Sequence, residues 1–231
     1  MPKGVHFPSA EYPLSIDCPL CRHGHTDFYH RDERRSYRQC RRCDLVFVPP
    51  ADRLSPAEEK AHYDLHENDP SDRGYRRFLS RLFEPMRERV PVPARGLDFG
   101  SGPGPTLSLM FAEAGYDMAL YDPYYAADSG VLQGRYDFIT ASEVAEHLYR
   151  PGAVLAQLHG LLRPGGWLGL MTKLICDRAA FATWHYRRDP THVCFFSSRT
   201  LAWWAEQAGC DIFFIGQDVI LLHKPLSSAF T

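Results

Sequence analysis

The stretch Arg95-Gly-Leu-Asp-Phe99, running into Gly100-Ser-Gly-Pro-Gly-Pro105, constrains this chain more than any other. A short apolar run stops at clustered glycines and gives way to helix-forming sequence from Thr106 to Ala114. That order predicts strand, tight turn and helix, the opening of a nucleotide-binding α/β unit. Gly100 and Gly102 permit tight backbone conformations and let a ligand approach without a Cβ in the way. The spacing is GxGxG, through Gly104, and Pro105 stands where a dinucleotide fingerprint wants a small residue. Tyr116 to Tyr121 reads as the next strand. It ends at Asp122, 22 residues beyond Gly100, where an acid can chelate two ribose hydroxyls. The constellation predicts a site for a ribose and a group lying over a glycine turn.

Further strands follow. Tyr136 to Ser142 is apolar and leads into Glu143-Val-Ala-Glu-His147-Leu, which is expected to open a helix. Leu161-Leu-Arg-Pro-Gly-Gly-Trp167 to Thr172 is a turn entering a buried strand, and Asp211–Ile215 with Asp218–Leu222 suggests a hairpin. The motifs LDFGSGPG, YDFITASEVAEHL and LLRPGGWLGLMT resemble the class I S-adenosylmethionine-dependent methyltransferases, over about Arg95 to His223. The resemblance implies a Rossmann-like, doubly wound α/β fold with a seven-stranded sheet. It implies S-adenosylmethionine as cofactor, with Asp98, Gly100, Ser101, Gly102 and Gly104 lining its methionine and ribose end. Asp122 would hold the ribose hydroxyls, and Ser142 would contact the methionine moiety. Only 14 residues separate Asp122 from Asp137, so the usual third strand and its helix are abbreviated. Asp128 and Gln133 are the nearest candidates for the adenine contact.

Four of the seven cysteines form Cys18-Pro-Leu-Cys21 and Cys40-Arg-Arg-Cys43, with 18 residues between the pairs. Each CxxC turn aims two thiolates at one point, and the intervening stretch is long enough to run out and back as a hairpin. Four sulfurs close a tetrahedron around Zn2+ and leave no open position, which predicts a structural zinc ribbon. His23, His25 or His30 replacing one sulfur is the lesser alternative. The ribbon fused in front resembles a bacterial branch of the family with N-terminal CxxC pairs. The expected organisation is a zinc ribbon over 1–50, a helical linker or lid over 51–93 and a methyltransferase domain over 94–231. Val46 to Pro56, with three prolines, reads as linker, and Ser55-Pro56-Ala57-Glu58 as a helix start. Tyr75 to Val90 reads as a second, basic helix, and Tyr63 to Asn68 as a lid or an exposed loop.

Charge narrows the partners. Lys plus Arg is 26 against 28 Asp plus Glu, a net charge of −2, which excludes a globally basic nucleic-acid coat. Seven arginines nevertheless lie between Arg22 and Cys43 against three acids, with Phe28, Tyr29 and Tyr37 among them, so the ribbon is either a solvated hairpin or a surface for single-stranded RNA. No run of 18 apolar residues marks a membrane span, and the N-terminal stretch lacks the apolar centre of a secretory signal. A cytoplasmic chain with reduced thiols is expected.

Glu143, Glu146 and His147 stand at i, i+3 and i+4, so one helix face would present two carboxylates and an imidazole. Such a set can hold Mg2+, Mn2+ or Zn2+. The ExxEH run is similar to that of ubiquinone-pathway O-methyltransferases and of bacterial terminal-ribose methyltransferases of small RNAs. That likeness makes His192 the candidate fourth ligand. A bound metal would hold acceptor hydroxyls and lower their pKa. Alternatively the acids serve the helix dipole and His147 or His192 acts as a general base. The segment Leu174 to Phe196, with Phe181, Trp184, His185, Tyr186, Arg187 and Arg188, is expected to shape the acceptor pocket or to pack as core. The expected function is methyl transfer to a small-molecule or RNA acceptor, on oxygen in the first instance, with a metal-assisted phenol or RNA-end O-methyltransferase as the sharper form. The alternative of another class is a catalytically silent cofactor-binding scaffold whose ribbon recruits a partner.

Overall fold

The computed structural model describes residues 16–65 and 68–226. The N-terminal stretch read for a signal lies outside these residues, as do His66 and Glu67 of the expected lid. In chain order the strands are β1 (Thr26–Arg31), β2 (Ser36–Cys40), β3 (Val46–Phe47), β4 (Arg95–Phe99), β5 (Asp117–Tyr121), β6 (Tyr136–Ser142), β7 (Leu162–Met171), β8 (Cys194–Phe195), β9 (Asp211–Ile215) and β10 (Val219–His223). The α-helices are α1 (Pro56–Tyr63), α2 (Arg73–Arg87), α3 (Thr106–Glu113), α4 (Pro151–Leu161), α5 (Arg178–Thr183) and α6 (Ser198–Ala208).

The central sheet has the order β5-β4-β6-β7-β10-β9. Strands β5, β4, β6 and β7 run parallel, and β10 returns antiparallel between β7 and β9. Period-2 alternation splits the core between two faces. Phe138, Met171, Val219 and Leu221 pack toward α2 and α3, whereas Ile139, Leu168, Leu170, Ile220 and Leu222 face α4 and α6. Helix α2 buries Leu79, Leu82, Phe83 and Met86 on one stripe and starts where the Asp72 side chain accepts from the Gly74 and Tyr75 amides.

Three expectations need correction. Among the described residues the sheet has six strands, not seven. The segment between Asp122 and Tyr136 forms only a bridge and a 3-10 turn at Ser129–Gln133, because it is too short for another strand and two crossovers. Val46 to Pro56 is not simply linker. Val46, Phe47 and Val48 are fully buried, and β3 pairs with both β2 and β8. Finally, Glu143 to His147 does not open an α-helix. Only Ala145–His147 makes a 3-10 turn, and α4 starts at Pro151.

The pairing of β3 with β8 completes a second sheet, β1-β2-β3-β8. Tyr29, Tyr37 and Phe47 of the cysteine-rich region share one apolar core with Phe181, Phe195 and the central strands. No helix among the described residues is long and apolar enough to cross a membrane.

Candidate active site

The glycine turn follows β4 at the point where the chain order in the sheet reverses, with β5 on one side and β6 on the other. This is where open α/β sheets carry ligands. Gly100 and Gly102 adopt φ of +75° and +63°, conformations in which other residues are strained. A Cβ on Gly100 would stand 2.4 Å from Val144 Cγ2, and one on Gly104 only 1.8 Å from the Asn68 carbonyl oxygen. The turn is thus held between the end of β6 and the segment after α1. Asp122 Oδ2 accepts from the Gly102 amide at 3.0 Å, and its Oδ1 accepts from the Tyr124 and Tyr125 amides at 2.8 and 3.0 Å. Asp98, 4% exposed, accepts from the Thr140 hydroxyl at 2.8 Å. Burial pushes its carboxyl up to about 6, the Thr140 and Ser108 hydrogen bonds opposing and the Asp122 charge adding to the rise. Ser142 closes β6 opposite Met171. Asp98, the glycines, Ser101, Asp122 and Ser142 therefore gather at one end of the sheet. Asp128 instead caps the 3-10 turn, accepting from the Gly130 amide at 2.8 Å, and both it and Gln133 are exposed.

Beyond Ser142 lies a second group of side chains. Glu146, His147 and His192 bring ligand atoms within 4.8 Å of one another. Glu143 lies outside that group, because its φ of +52° and the bond from its amide to the Met171 carbonyl extend β6 instead of turning into helix. Glu146 is fully buried. One carboxylate oxygen accepts from Tyr186, and the other, Oε2, has no hydrogen-bond partner, as is also true of Glu143 Oε1. Burial drives both carboxyls well above the usual range, each reinforced by neighbouring negative charge. Burial also drives the Tyr186 hydroxyl up, with Glu146 adding to it.

The two histidines have matching surroundings. His147 Nδ1 lies 3.2 Å from the Thr191 carbonyl, and His192 Nδ1 lies 2.7 Å from the Tyr186 carbonyl. A carbonyl only accepts, so each Nδ1 carries a proton. Burial lowers the His192 pKa, with Asp189, whose Oδ2 lies 3.7 Å from His192 Nε2, opposing. The rings meet edge to face at 4.6 Å, and Tyr63 of α1 stands edge-on to His147 at 5.4 Å. Tyr63 in turn donates to Glu59 at 2.9 Å, and Tyr125 donates to Asp64 at 2.8 Å. Helix α1 and its C-terminal turn thereby span the gap between the Asp122 turn and His147.

Sequence reasoning placed His147 and His192 together through the likeness to methyltransferases that carry an ExxEH run. It missed the Tyr186 bond to Glu146, the Thr191 carbonyl and Asn68 beneath the glycine turn. Only the Asx pattern of Asp189, which accepts from the Thr191 amide and hydroxyl at 2.9 and 2.6 Å, carried a local signal. Phe181 of the acceptor-side segment packs against Tyr29, Tyr37 and Phe195, and Arg187 pairs with Asp32, so neither faces an acceptor.

Cys18, Cys21, Cys40 and Cys43 bring their sulfurs together, with Cys18–Cys43 at 3.5 Å and Cys21–Cys40 at 3.4 Å. Zn–S bonds of about 2.3 Å place tetrahedral sulfurs about 3.8 Å apart, so the cluster is compatible with zinc. Both knuckles share one local form. The Arg22 amide bonds the Cys18 carbonyl, the Asp44 amide bonds the Cys40 carbonyl, and Arg22 and Asp44 both have positive φ. Hydrogen bonds from Cys18 and Cys43 drive the Cys40 thiol strongly down, and sharing with its neighbours drives Cys18 and Cys43 up. Four thiols this close need a cation before all can ionise. Among the described residues no histidine belongs to the cluster.

Residues 67–213 match a family described as "Methyltransferase domain". No curated protein matches the chain in sequence. Among solved structures, an O-methyltransferase family protein from Burkholderia thailandensis is similar with a TM-score of 0.51 and 14% identity, over 74% of this chain and 60% of that one. This chain thus spans less than two thirds of that protein's length. The 1,6-didemethyltoxoflavin-N1-methyltransferase of the same organism, with bound 1,6-didemethyltoxoflavin and S-adenosylhomocysteine, has a TM-score of 0.49 and 17% identity over 86% of this chain and 99% of that one. Magnesium protoporphyrin IX methyltransferase from Synechocystis PCC 6803, with bound S-adenosylhomocysteine, has 0.49 and 13% identity over 73% and 93%.

Proposed function

The chain belongs to the methyltransferase domain family and is an S-adenosylmethionine-dependent methyltransferase; from that premise we propose that it methylates a hydroxyl oxygen of a small phenolic or diol acceptor held beside Glu146, His147 and His192. The observation that carries this reading is the buried, unpartnered carboxylate oxygen Glu146 Oε2, grouped with His147 and His192, each of which lies with Nδ1 against a backbone carbonyl. Buried polar atoms without partners are rare in folded proteins and ask for a cation or a donor.

Glu146, His147 and His192 are the residues that would hold a divalent cation. Such an ion, when bound, lowers the pKa of an acceptor hydroxyl and takes up the charge of the oxyanion. The protein's own work is alignment and proton removal. The glycine turn and Asp122 would seat the ribose end of the cofactor and Ser142 its methionine end. Asp98 lies where a carboxylate favours the positive sulfonium. Where no ion is bound, His147 Nε2 is the group that would receive the acceptor proton. Helix α1, through Tyr63, excludes water from the gap, and holding both reactants in line supplies much of the acceleration.

A small acceptor is favoured over RNA by the engagement of the ribbon's arginines. Arg35 donates into the loop before His192, Arg38 to Thr26 and Arg41 to Asp27, and Arg42 covers the Trp203 ring. The decisive assay is turnover of labelled S-adenosylmethionine with catechol. EDTA-treated enzyme is expected to lose activity and regain it with Mg2+ or Mn2+, and Glu146→Gln to lose a factor on the order of 100 or more. Activity indifferent to chelator would leave His147 as a metal-free base. Activity indifferent to both Glu146→Gln and His192→Ala would remove the site.

A further inference from the structure

We propose that Arg35, from the turn between β1 and β2 of the cysteine-rich region, is a positioning residue for the acceptor end of the site, acting through the loop that carries His192. The inference rests on the preceding reading only for the chemistry it assigns to His192; the geometry stands apart from it.

Arg35 is 7% exposed. Its Nε donates to the Tyr37 hydroxyl at 2.9 Å, one terminal nitrogen donates to the Pro190 carbonyl at 2.9 Å, and the other donates to the Arg187 and Asp189 carbonyls at 2.6 and 2.7 Å. A planar guanidinium alone among side chains can satisfy several diverging acceptors from one rigid fork. The neighbouring carbonyls of the same segment serve the histidines, Tyr186 binding His192 Nδ1 and Thr191 binding His147 Nδ1. One short segment therefore divides its carbonyls between a ribbon arginine and the two site imidazoles. A shift of the Arg187, Asp189 or Pro190 carbonyl necessarily moves the groups that set both histidine tautomers.

The arginine is itself anchored. Asp32 accepts from the Arg34 and Arg35 amides at 2.9 Å each and from the Tyr37 hydroxyl at 2.8 Å, and pairs with Arg187. The Val48 amide bonds the Val193 carbonyl at 2.9 Å, and β3 pairs with β8 just beyond His192. The site's own elements hold the same loop from the other side: Tyr186 donates to Glu146 and its hydroxyl lies 3.2 Å from that of Thr172, and the Val193 amide bonds the Glu146 carbonyl at 2.8 Å. The cofactor end has no such dependence, since its turn is closed by Val144, Tyr121 and Asn68.

The test compares Arg35→Met, Arg35→Lys and Asp32→Asn in the full chain. Carbethoxylation of His192 by diethyl pyrocarbonate is read by mass spectrometry, together with amide exchange and affinity for S-adenosylhomocysteine. In Arg35→Met, His192 modification and Val193 amide exchange are expected to rise by about tenfold or more, while exchange in β1 and β2 and cofactor affinity stay within about twofold. Arg35→Lys, which keeps the charge and loses the fork, falls between it and wild type. Unchanged His192 reactivity, or loosening spread equally through β1 and β2, overturns the proposal. Should Arg35→Met fail to fold, Asp32→Asn decides, with the same local pattern at smaller amplitude expected and its absence overturning the inference. Turnover of catechol separates the two readings. A loosened His192 loop with an unaltered rate keeps Arg35 as a positioning residue and removes His192 from the chemistry.

Discussion

The two ends of the crevice are built by opposite means. The proposed cofactor end draws most of its groups from one short stretch: one strand, one glycine turn and the acid closing the neighbouring strand, all between Arg95 and Asp122, with Asp122 bonded to the Gly102, Tyr124 and Tyr125 amides and the turn closed from outside by Val144 and Asn68. The acceptor end is assembled at long range, from the tail of β6, the loop before β8, helix α1 and an arginine of the cysteine-rich region. A locally encoded site tolerates damage elsewhere, whereas an assembled one inherits the stability of every part that touches it.

The strongest way to break this contrast is to disrupt the cysteine cluster. Metal analysis of the wild type is expected to give one zinc per chain, and Cys40→Ser is expected to lose it and to lower the thermal midpoint by roughly 10–20 °C. Affinity for S-adenosylhomocysteine is expected to survive better than the shielding of His192. Equal loss at both ends would mean that the ends are not separable. Next comes Asp122→Ala. Removing the acceptor for Gly102 and for the ribose should weaken cofactor binding by about 2–4 kcal/mol, visible by calorimetry, with His192 reactivity unchanged.

A smaller effect should appear as pH dependence at Asp98. Its folded pKa of about 6 lies above the 3.8 of the unfolded chain, so the folded state binds the proton more tightly. That contribution to stability is complete below pH 3.8 and is lost as pH rises to about 6, amounting to about 3 kcal/mol at most. Denaturant titrations of wild type and Asp98→Asn between pH 4 and 7 should differ by this slope, and parallel curves would refute it. Least of all should come from Arg41→Ala. Its pair with Asp27 is more than half exposed on both sides, so the midpoint should stay within about 1 °C.

Much of the molecule was legible from neighbours in the chain. The Ser55 cap with Pro56 and Glu58 marks the start of α1, and the box it forms is seen in the structure. The strand before Gly100 and the β9–β10 hairpin are equally local. What misled was distance or backbone context. Val46-Phe47 looks like linker because Pro49 and Pro50 follow, and its burial depends on β8, far along the chain. The ExxEH run has helical spacing, yet the Glu143 amide is taken by the Met171 carbonyl of β7, which extends the strand and leaves Glu143 off the face shared by Glu146 and His147. The basic texture of the cysteine-rich region left a solvated hairpin and a single-stranded RNA surface both open, and only the structure shows that Arg35 among its arginines points inward.

Residue order alone sufficed for the strand, glycine turn and helix after Arg95, the two cysteine knuckles and the methyltransferase family, because each depends on groups a few bonds apart whose conformations glycine, proline or paired thiols dictate. Folding in three dimensions chose which acids and imidazoles meet, and set the cysteine-rich region against the loop that carries His192. Those outcomes turn on carbonyls, and a carbonyl is the same in every residue; nothing in the letters at 187, 189 and 190 announces that their oxygens converge on one guanidinium.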